Sequence, residues 1–304
     1  MSEIDKKFLN DGFKIIDGIY SFEVKDNTTN LVSNFYDEAP FPHYDKKENK
    51  DTILAKGNAN IIASQLKKNF SFNKNILEVG SGTSQLSNYL AIGSNNKIFA
   101  LDATFNSLKL GKDFSLGSNI KNVTFVHSDL FSDTFKDAVF DVVWCSGVLH
   151  HTKNPYKGFQ QILKYLKDDG YVIVGLYNKI FRFKTFFLRQ MSKIFGKKII
   201  YFFDSHQKKI STEKEKKNSW IEDQYFHPVE SMHTFDEVLG WFKKNNIEFI
   251  NSIPSCNPSY QKKNIFDKVN KGDYFTRILS QFFSIFSSYG SEGGLFIFIG
   301  KKIK

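Results

Sequence analysis

Short apolar runs at residues 75–79, 97–102, 123–127 and 140–145 recur along the chain, each ending in a polar turn before a longer mixed segment. Runs of this length, bounded by turn residues, read as strands buried on both faces of a parallel sheet. A helical rhythm comes next: Phe159, Ile162, Leu163 and Leu166 fall on one side of the segment 154–167, Asp168-Asp169-Gly170 closes it, and a fifth run occupies 171–176. Strands alternating with helices across short connections predict a doubly wound, mostly parallel α/β sheet. Further along, Thr234-Phe235-Asp236-Glu237 is a capping box that starts a helix through Leu239, Trp241 and Phe242. A strand at 247–253, stopped by Pro254, and a last strand at 294–299 complete the pattern.

The flanking segments read differently. Residues 1–72 precede the first core strand; within them Pro40 and Pro42 exclude regular helix from an aromatic loop at 35–44, and a helix is expected over 53–70. Beyond Asn178, a helix over 180–195 places Ile180, Phe183, Phe187, Met191 and Ile194 on one side and Arg182, Arg189 and Lys193 on the other. Such a basic amphipathic helix either packs its apolar side on the core, lies on an anionic membrane surface, or closes over a lipid-like acceptor. The lysine-rich stretch 208–217 reads as a solvated, mobile linker. The expected organisation is an N-terminal extension at 1–72, a core at 73–178, a helical insert at 179–230, and a C-terminal completion at 231–304 with its own helical insert at about 256–292.

The first strand carries the chemistry. It ends at Glu78-Val79 and feeds Gly80-Ser81-Gly82, a turn that opens a helix and presents backbone N–H groups to a nucleotide-like ligand. A dinucleotide fingerprint would need Gly or Ala at position 85, which is Gln85. The second strand ends in Asp102, 22 positions after Gly80, the separation at which an acid reaches a ribose. The third ends in Asp129, and the fourth runs into Cys145-Ser146-Gly147-Val148-Leu149-His150-His151.

Glu78-x-Gly80-x-Gly82 followed by these three strand ends resembles the class I S-adenosylmethionine-dependent methyltransferases, over about residues 73 to 178. The post-strand loop is most similar to the small-molecule and quinone-type members. One departure stands at Ser84, where many members carry a third glycine. The resemblance implies a seven-stranded core whose last two strands form an antiparallel pair, with S-adenosylmethionine as cofactor. It further implies Glu78 near the methionine moiety, Asp102 on the ribose and Asp129 facing the adenine amino group, with Gly80, Ser81, Gly82, Ala103, Leu130 and Ser146 completing the cofactor contacts.

For catalysis, His150 and His151 stand in the loop where the methyl group would point, and an imidazole suits the general base that an oxygen or carbon nucleophile needs. Adjacent loop histidines cannot both face one way, so one is expected to act and the other to be structural. Tyr177 and Asn178 end the fifth strand and could orient an acceptor, and Asp223, Tyr225, His227 and His233 form a second polar-aromatic cluster. Tyr36, Phe41, His43 and Tyr44 are candidates for a lid over the cofactor, Tyr36 and Tyr44 also for acceptor contacts. No H-E-x-x-H, C-x-x-C or carboxylate cluster calls for a metal.

Composition narrows the partner. The 304 residues carry a net charge of +10, yet only three of the 42 basic residues are arginines, Arg182, Arg189 and Arg277. Base and phosphate recognition favours arginine forks, which weighs against nucleic acid. Two cysteines without metal spacing read as reduced core thiols. With no apolar leader at 1–7 and no run of eighteen apolar residues, the expectation is a cytoplasmic protein, peripheral to a membrane if the 180–195 helix makes that contact. The expected activity is methyl transfer to a small or lipid-like acceptor. The alternatives are an RNA methyltransferase and a non-catalytic S-adenosylmethionine-binding protein; a nicotinamide-dependent oxidoreductase fits least because of Gln85.

Overall fold

The computed structural model describes residues 7–38, 40–44, 48–196, 198–203, 220–260, 262–288 and 293–304. The stretch 208–217, expected to be a linker, lies outside the described residues. Among the described residues nine strands form one sheet: β1 Lys14–Ile16, β2 Ile19–Ser21, β3 Asn75–Val79, β4 Lys97–Asp102, β5 Val123–His127, β6 Phe140–Ser146, β7 Leu166–Tyr177, β8 Ile247–Ile253 and β9 Leu295–Lys302. Their order is β1-β2-β5-β4-β3-β6-β7-β9-β8. From β5 to β8 this is the expected seven-stranded core, parallel except that β9 runs antiparallel to both β7 and β8. The extra pair is a hairpin, β1–β2, which joins the edge with β2 parallel to β5. Its three-residue strands are too short to leave a periodic signal in the sequence.

The core strands alternate sides, so each apolar run supplies two faces. Leu77, Val79, Leu101, Val143, Cys145 and Val174 point one way, where they meet α6 (Pro155–Tyr165) and α9 (Phe235–Lys244). Ile76, Ile98, Val142, Ile173, Ile297 and Ile299 point the other way, under α2 (Lys50–Ala59), α3 (Ile61–Asn69) and α4 (Gln85–Ala91). Wholly buried rings such as Phe99, Phe140 and Phe159 each stabilise this arrangement by roughly 2–3 kcal/mol, which is why a few short strands suffice to set the layers.

Two expectations need correction. The single helix over 53–70 is two helices, because Asn60 is extended (φ −81°, ψ 113°), ending α2 while its side chain accepts the Ile62 and Ala63 N–H groups that start α3. An N-terminal helix, α1 (Asn27–Glu38), was not anticipated and carries Phe35 and Tyr36, so the loop expected at 35–44 begins later. Among the described residues the remaining α-helices are α5 (Phe105–Gly117), α7 (Phe183–Phe195), α8 (Lys198–Phe203) and α10 (Tyr274–Ser284), with a 3₁₀ turn at Leu149–His151 and a π-helical turn at Glu222–Phe226. No helix among the described residues is long and apolar enough to cross a membrane.

Candidate active site

The loop after β3 needs its glycines for space and conformation. Gly80 has φ +66°, and a Cβ there would come within 2.1 Å of Val148; Gly82 has φ +51°, and a Cβ would come within 2.2 Å of the Phe41 carbonyl oxygen. Phe41 therefore lies against the glycine loop, and its neighbours fasten it there. Thr83 Oγ1 donates to the Pro42 carbonyl (2.6 Å) and Gln85 Nε2 to the His43 carbonyl (3.2 Å). The N-terminal segment is thus a cover hydrogen-bonded to the loop it covers.

Two cavities open where the strands end, at the edge where doubly wound sheets bind ligands. The narrower, about 120 Å³, is bounded by Gly80, Gly82, Asp102, Leu130, Val148 and His151, with Ser33 and Tyr36 of α1 above. The larger, about 600 Å³, lies between the sheet and α2–α3, walled by Ile53, Leu86, Trp144, Ile253, Leu295 and Ile297, with Glu78, Lys56 and Ser146 as polar members. Phe41 lines both. Ligand sites usually fall between roughly 300 and 1,000 Å³, so the narrow cavity alone is below that range and the two count together.

Asp102 anchors the narrow cavity. Its Oδ2 accepts the Gly82 N–H (2.7 Å) and its Oδ1 the Thr104 N–H (2.8 Å), which fixes the carboxylate and leaves each oxygen a second lone pair. Burial raises its pKa. Nearby, Ser107 Oγ on α5 is buried without a hydrogen-bond partner and borders the same cavity. A fixed carboxylate, an orphaned hydroxyl and apolar walls from Leu101, Leu130 and Val148 fit a nucleoside: a diol for the acid, a flat base between the side chains.

His151 closes the far wall of the narrow cavity, with His227 and His150 packed behind it. His151 Nδ1 lies 2.6 Å and His227 Nδ1 2.7 Å from the Val229 carbonyl oxygen. A carbonyl only accepts, so Nδ1 of His151 carries the proton and its Nε2 keeps the lone pair, whereas Nδ1 of His227 also lies 3.2 Å from the Val229 N–H, a donor. The two rings stack at 3.5 Å between centroids, and burial lowers both pKa values, that of His227 to about 4. His150 is fully buried, 3.8 Å from the Tyr177 ring centroid, with neither ring nitrogen hydrogen-bonded.

A family model described as a methyltransferase domain matches residues 70–246, more than half of the chain. The chain belongs to the methyltransferase-domain family. Its fold is that of the class I enzymes, whose cofactor is S-adenosylmethionine. The demethylmenaquinone methyltransferase of Clavibacter sepedonicus is 30% identical over 145 residues, covering 47% of this chain and 56% of that protein. The mitochondrial ubiquinone biosynthesis O-methyltransferase of Dictyostelium discoideum is 26% identical over 136 residues, covering 42% of this chain and 40% of that one. The match spans about half the length of the curated relatives. Among solved structures, PKMT2 from Rickettsia typhi in complex with AdoHcy superposes with a TM-score of 0.56 at 14% identity, over 80% of this chain and 52% of that one, a likeness of fold.

In this methyltransferase domain the expected cofactor residues divide. Gly80, Gly82, Asp102, Ala103 and Leu130 border the narrow cavity, whereas Glu78 and Ser146 border the larger one. Ser81 is buried, its hydroxyl 3.0 Å from that of Ser84, and Asp129 accepts the Phe131 N–H (2.7 Å), so both shape loops. Glu78 accepts from the Ser87 N–H (2.9 Å) and hydroxyl (2.5 Å) inside α4, and burial pushes its pKa up to about 8. Of the acceptor candidates, Tyr36 reaches the narrow cavity; its hydroxyl donates to Asp223 (2.6 Å). Tyr44, Tyr177, Asn178, Tyr225 and His227 line neither cavity. Tyr44 stacks on Phe114, Tyr177 lies under the Arg182 guanidinium, Tyr225 packs with Trp220, and Asn178 bonds Gln281 of α10. Thr104, Ser107 and Val148 were missed; a signal existed for the first two, which follow Asp102 at the start of α5.

Proposed function

We propose that this protein transfers a methyl group from S-adenosylmethionine to a small, largely apolar or lipid-like acceptor held in the 600 Å³ cavity. The observation that carries this reading is the pair of cavities meeting at Phe41, one built for a nucleoside and the other walled by apolar side chains. The quinone-related names of the curated relatives support the same acceptor class. When bound, S-adenosylmethionine supplies a sulfonium-borne methyl group for in-line displacement.

The chain's own residues do the rest by positioning. Asp102, held by two backbone N–H groups, binds the ribose diol, and Leu101, Leu130 and Val148 hold the base. Phe41 and α1 keep water from the reacting centre. His151, on the narrow cavity, is the general base for an acceptor whose reacting end passes Phe41 into that cavity, since the Val229 carbonyl fixes its tautomer and leaves Nε2 a lone pair for the proton. His150, away from both cavities, is the structural member of the pair.

The test is transfer of labelled methyl from S-adenosylmethionine to phenolic and isoprenoid acceptors, with RNA as a parallel arm. Label is expected in the solvent-extractable products, and His151→Gln is expected to lower kcat by roughly 100-fold or more with KM for the cofactor little changed. Label in RNA alone contradicts the acceptor class, and a His151→Gln defect confined to KM contradicts its role as base.

A further inference from the structure

The helices of the two inserts are turned inside out. On α7 the buried residues are Thr185, Leu188 and Ser192, while Phe183, Phe186, Phe187, Ile194 and Phe195 are exposed. On α10 the buried residues are Ser280, Gln281 and Ser284, while Phe275, Phe282 and Phe283 are exposed, as is Phe286 just beyond its end. The buried side of α10 is committed to hydrogen bonds: Gln281 Oε1 accepts from Asn178 Nδ2 (2.9 Å) and the Phe235 N–H (3.1 Å), and Ser280 donates to the Ser255 carbonyl (2.5 Å). The aromatic side is therefore not a core face that lost its partner. On α8, Phe202 and Phe203 are 76% and 55% exposed.

Scattered exposed apolar side chains are ordinary, but contiguous aromatic rows mark an interaction surface. These rows share a root at the end of β7. The Arg182 N–H at the start of α7 donates to the Asn178 carbonyl (3.1 Å), and Asn178 holds α10. None of α7, α8 and α10 contains Asp or Glu, while Lys184, Lys193 and Lys198 are exposed between the rings. A self-complementary dimer across this face would bring lysine against lysine.

We propose that the aromatic faces of α7, α8 and α10 form one docking surface for an anionic lipid bilayer, the rings entering the acyl boundary and the lysines meeting headgroups. The surface stands independently of the methyl-transfer reading and places the chain beside a membrane-dissolved acceptor if that reading holds.

Vesicle flotation tests it. The full chain is expected to float with vesicles of equal parts phosphatidylglycerol and phosphatidylcholine, and far less with phosphatidylcholine alone. Both F183S/F187S and F282S/F283S/F286S are expected to reduce partitioning by roughly tenfold or more, with unchanged circular dichroism because these side chains carry no core contacts. Wild-type protein that does not float with anionic vesicles overturns the proposal. So does undiminished flotation of both variants, and so does a dimer lost in the variants without vesicle binding, which assigns the face to a second copy. Failure of flotation with S-adenosylhomocysteine binding intact rejects the docking surface and leaves the cofactor site standing.

Discussion

Ser84 occupies the left-handed region (φ 59°) at the position where many class I methyltransferases carry glycine. Its N–H donates to the Ser81 carbonyl (2.7 Å) and its hydroxyl meets that of Ser81 (3.0 Å), bonds that offset the strain of a side chain in that conformation. The departure seen in the motif is thus a local exchange of backbone freedom for hydrogen bonds. The buried histidines make a claim of another kind. Burial holds His150 and His151 well below the ordinary imidazole pKa, and His227 at about 4. They are neutral when folded but take protons near pH 6.5 when unfolded, so the unfolded state binds more protons below that pH and stability falls as pH drops. Glu78, raised to about 8 from 4.5, acts oppositely: between those values the folded chain keeps its proton, and stability falls as pH rises. Replacing His227 by Gln removes one histidine contribution without touching Glu78. Between pH 6.5 and 5 the variant should gain about 2 kcal/mol relative to wild type in denaturant titrations. A gap that does not change with pH would mean that the His227 ring is charged in the folded chain.

At the scale of elements, the apolar pattern predicted where helices lie but not which face they bury. The 180–195 periodicity was correct in placing Phe183, Phe187 and Ile194 on one side, yet that side is exposed while Arg182 is buried on Glu230 (2.9 Å) and Arg189 lies 3.6 Å from it. A wheel cannot show that a buried acid and carbonyls await the arginines, because those partners come from 230 and 293, far along the chain. The same inversion in α10 yields a reversed mutational signature. Gln281→Leu, a change toward apolarity at a buried site, should destabilise by about 2 kcal/mol, since it strands Asn178 Nδ2 and the Phe235 N–H. Phe282→Ser, on the exposed face, should stay within about 0.5 kcal/mol. Thermal melts in which Phe282→Ser is the more damaging change would contradict this description of α10. Core strands were legible because burial on both faces leaves unbroken apolar runs. The β1–β2 hairpin and α1 were not: apart from the buried Ile19 their residues are half-buried or exposed, in short or irregular patterns.

Across the whole molecule, the site is assembled from segments whose chemistry was readable and from a cover whose candidates, Tyr36 and Phe41 among them, could be named but whose packing partners could not. Glu78, Gly80, Gly82, Asp102 and Asp129 stood out because strand ends repeat in register, and the sheet brings the ends of β3, β4, β5 and β6 to one edge. Phe41, Tyr36 and Ser107 take their places from long-range packing: α1 on α5, the cover loop on the glycine turn, the insert's Asp223 on Tyr36. The central claim is that this edge holds the nucleoside of S-adenosylmethionine through Asp102. Calorimetric titration of the purified chain with S-adenosylhomocysteine, with NADH as control and Asp102→Ala alongside, tests it most directly. Micromolar binding of S-adenosylhomocysteine is expected, none of NADH, and a loss of at least roughly tenfold, about 1.4 kcal/mol, in a folded Asp102→Ala variant. Binding of NADH alone, or S-adenosylhomocysteine affinity indifferent to Asp102→Ala, would contradict it.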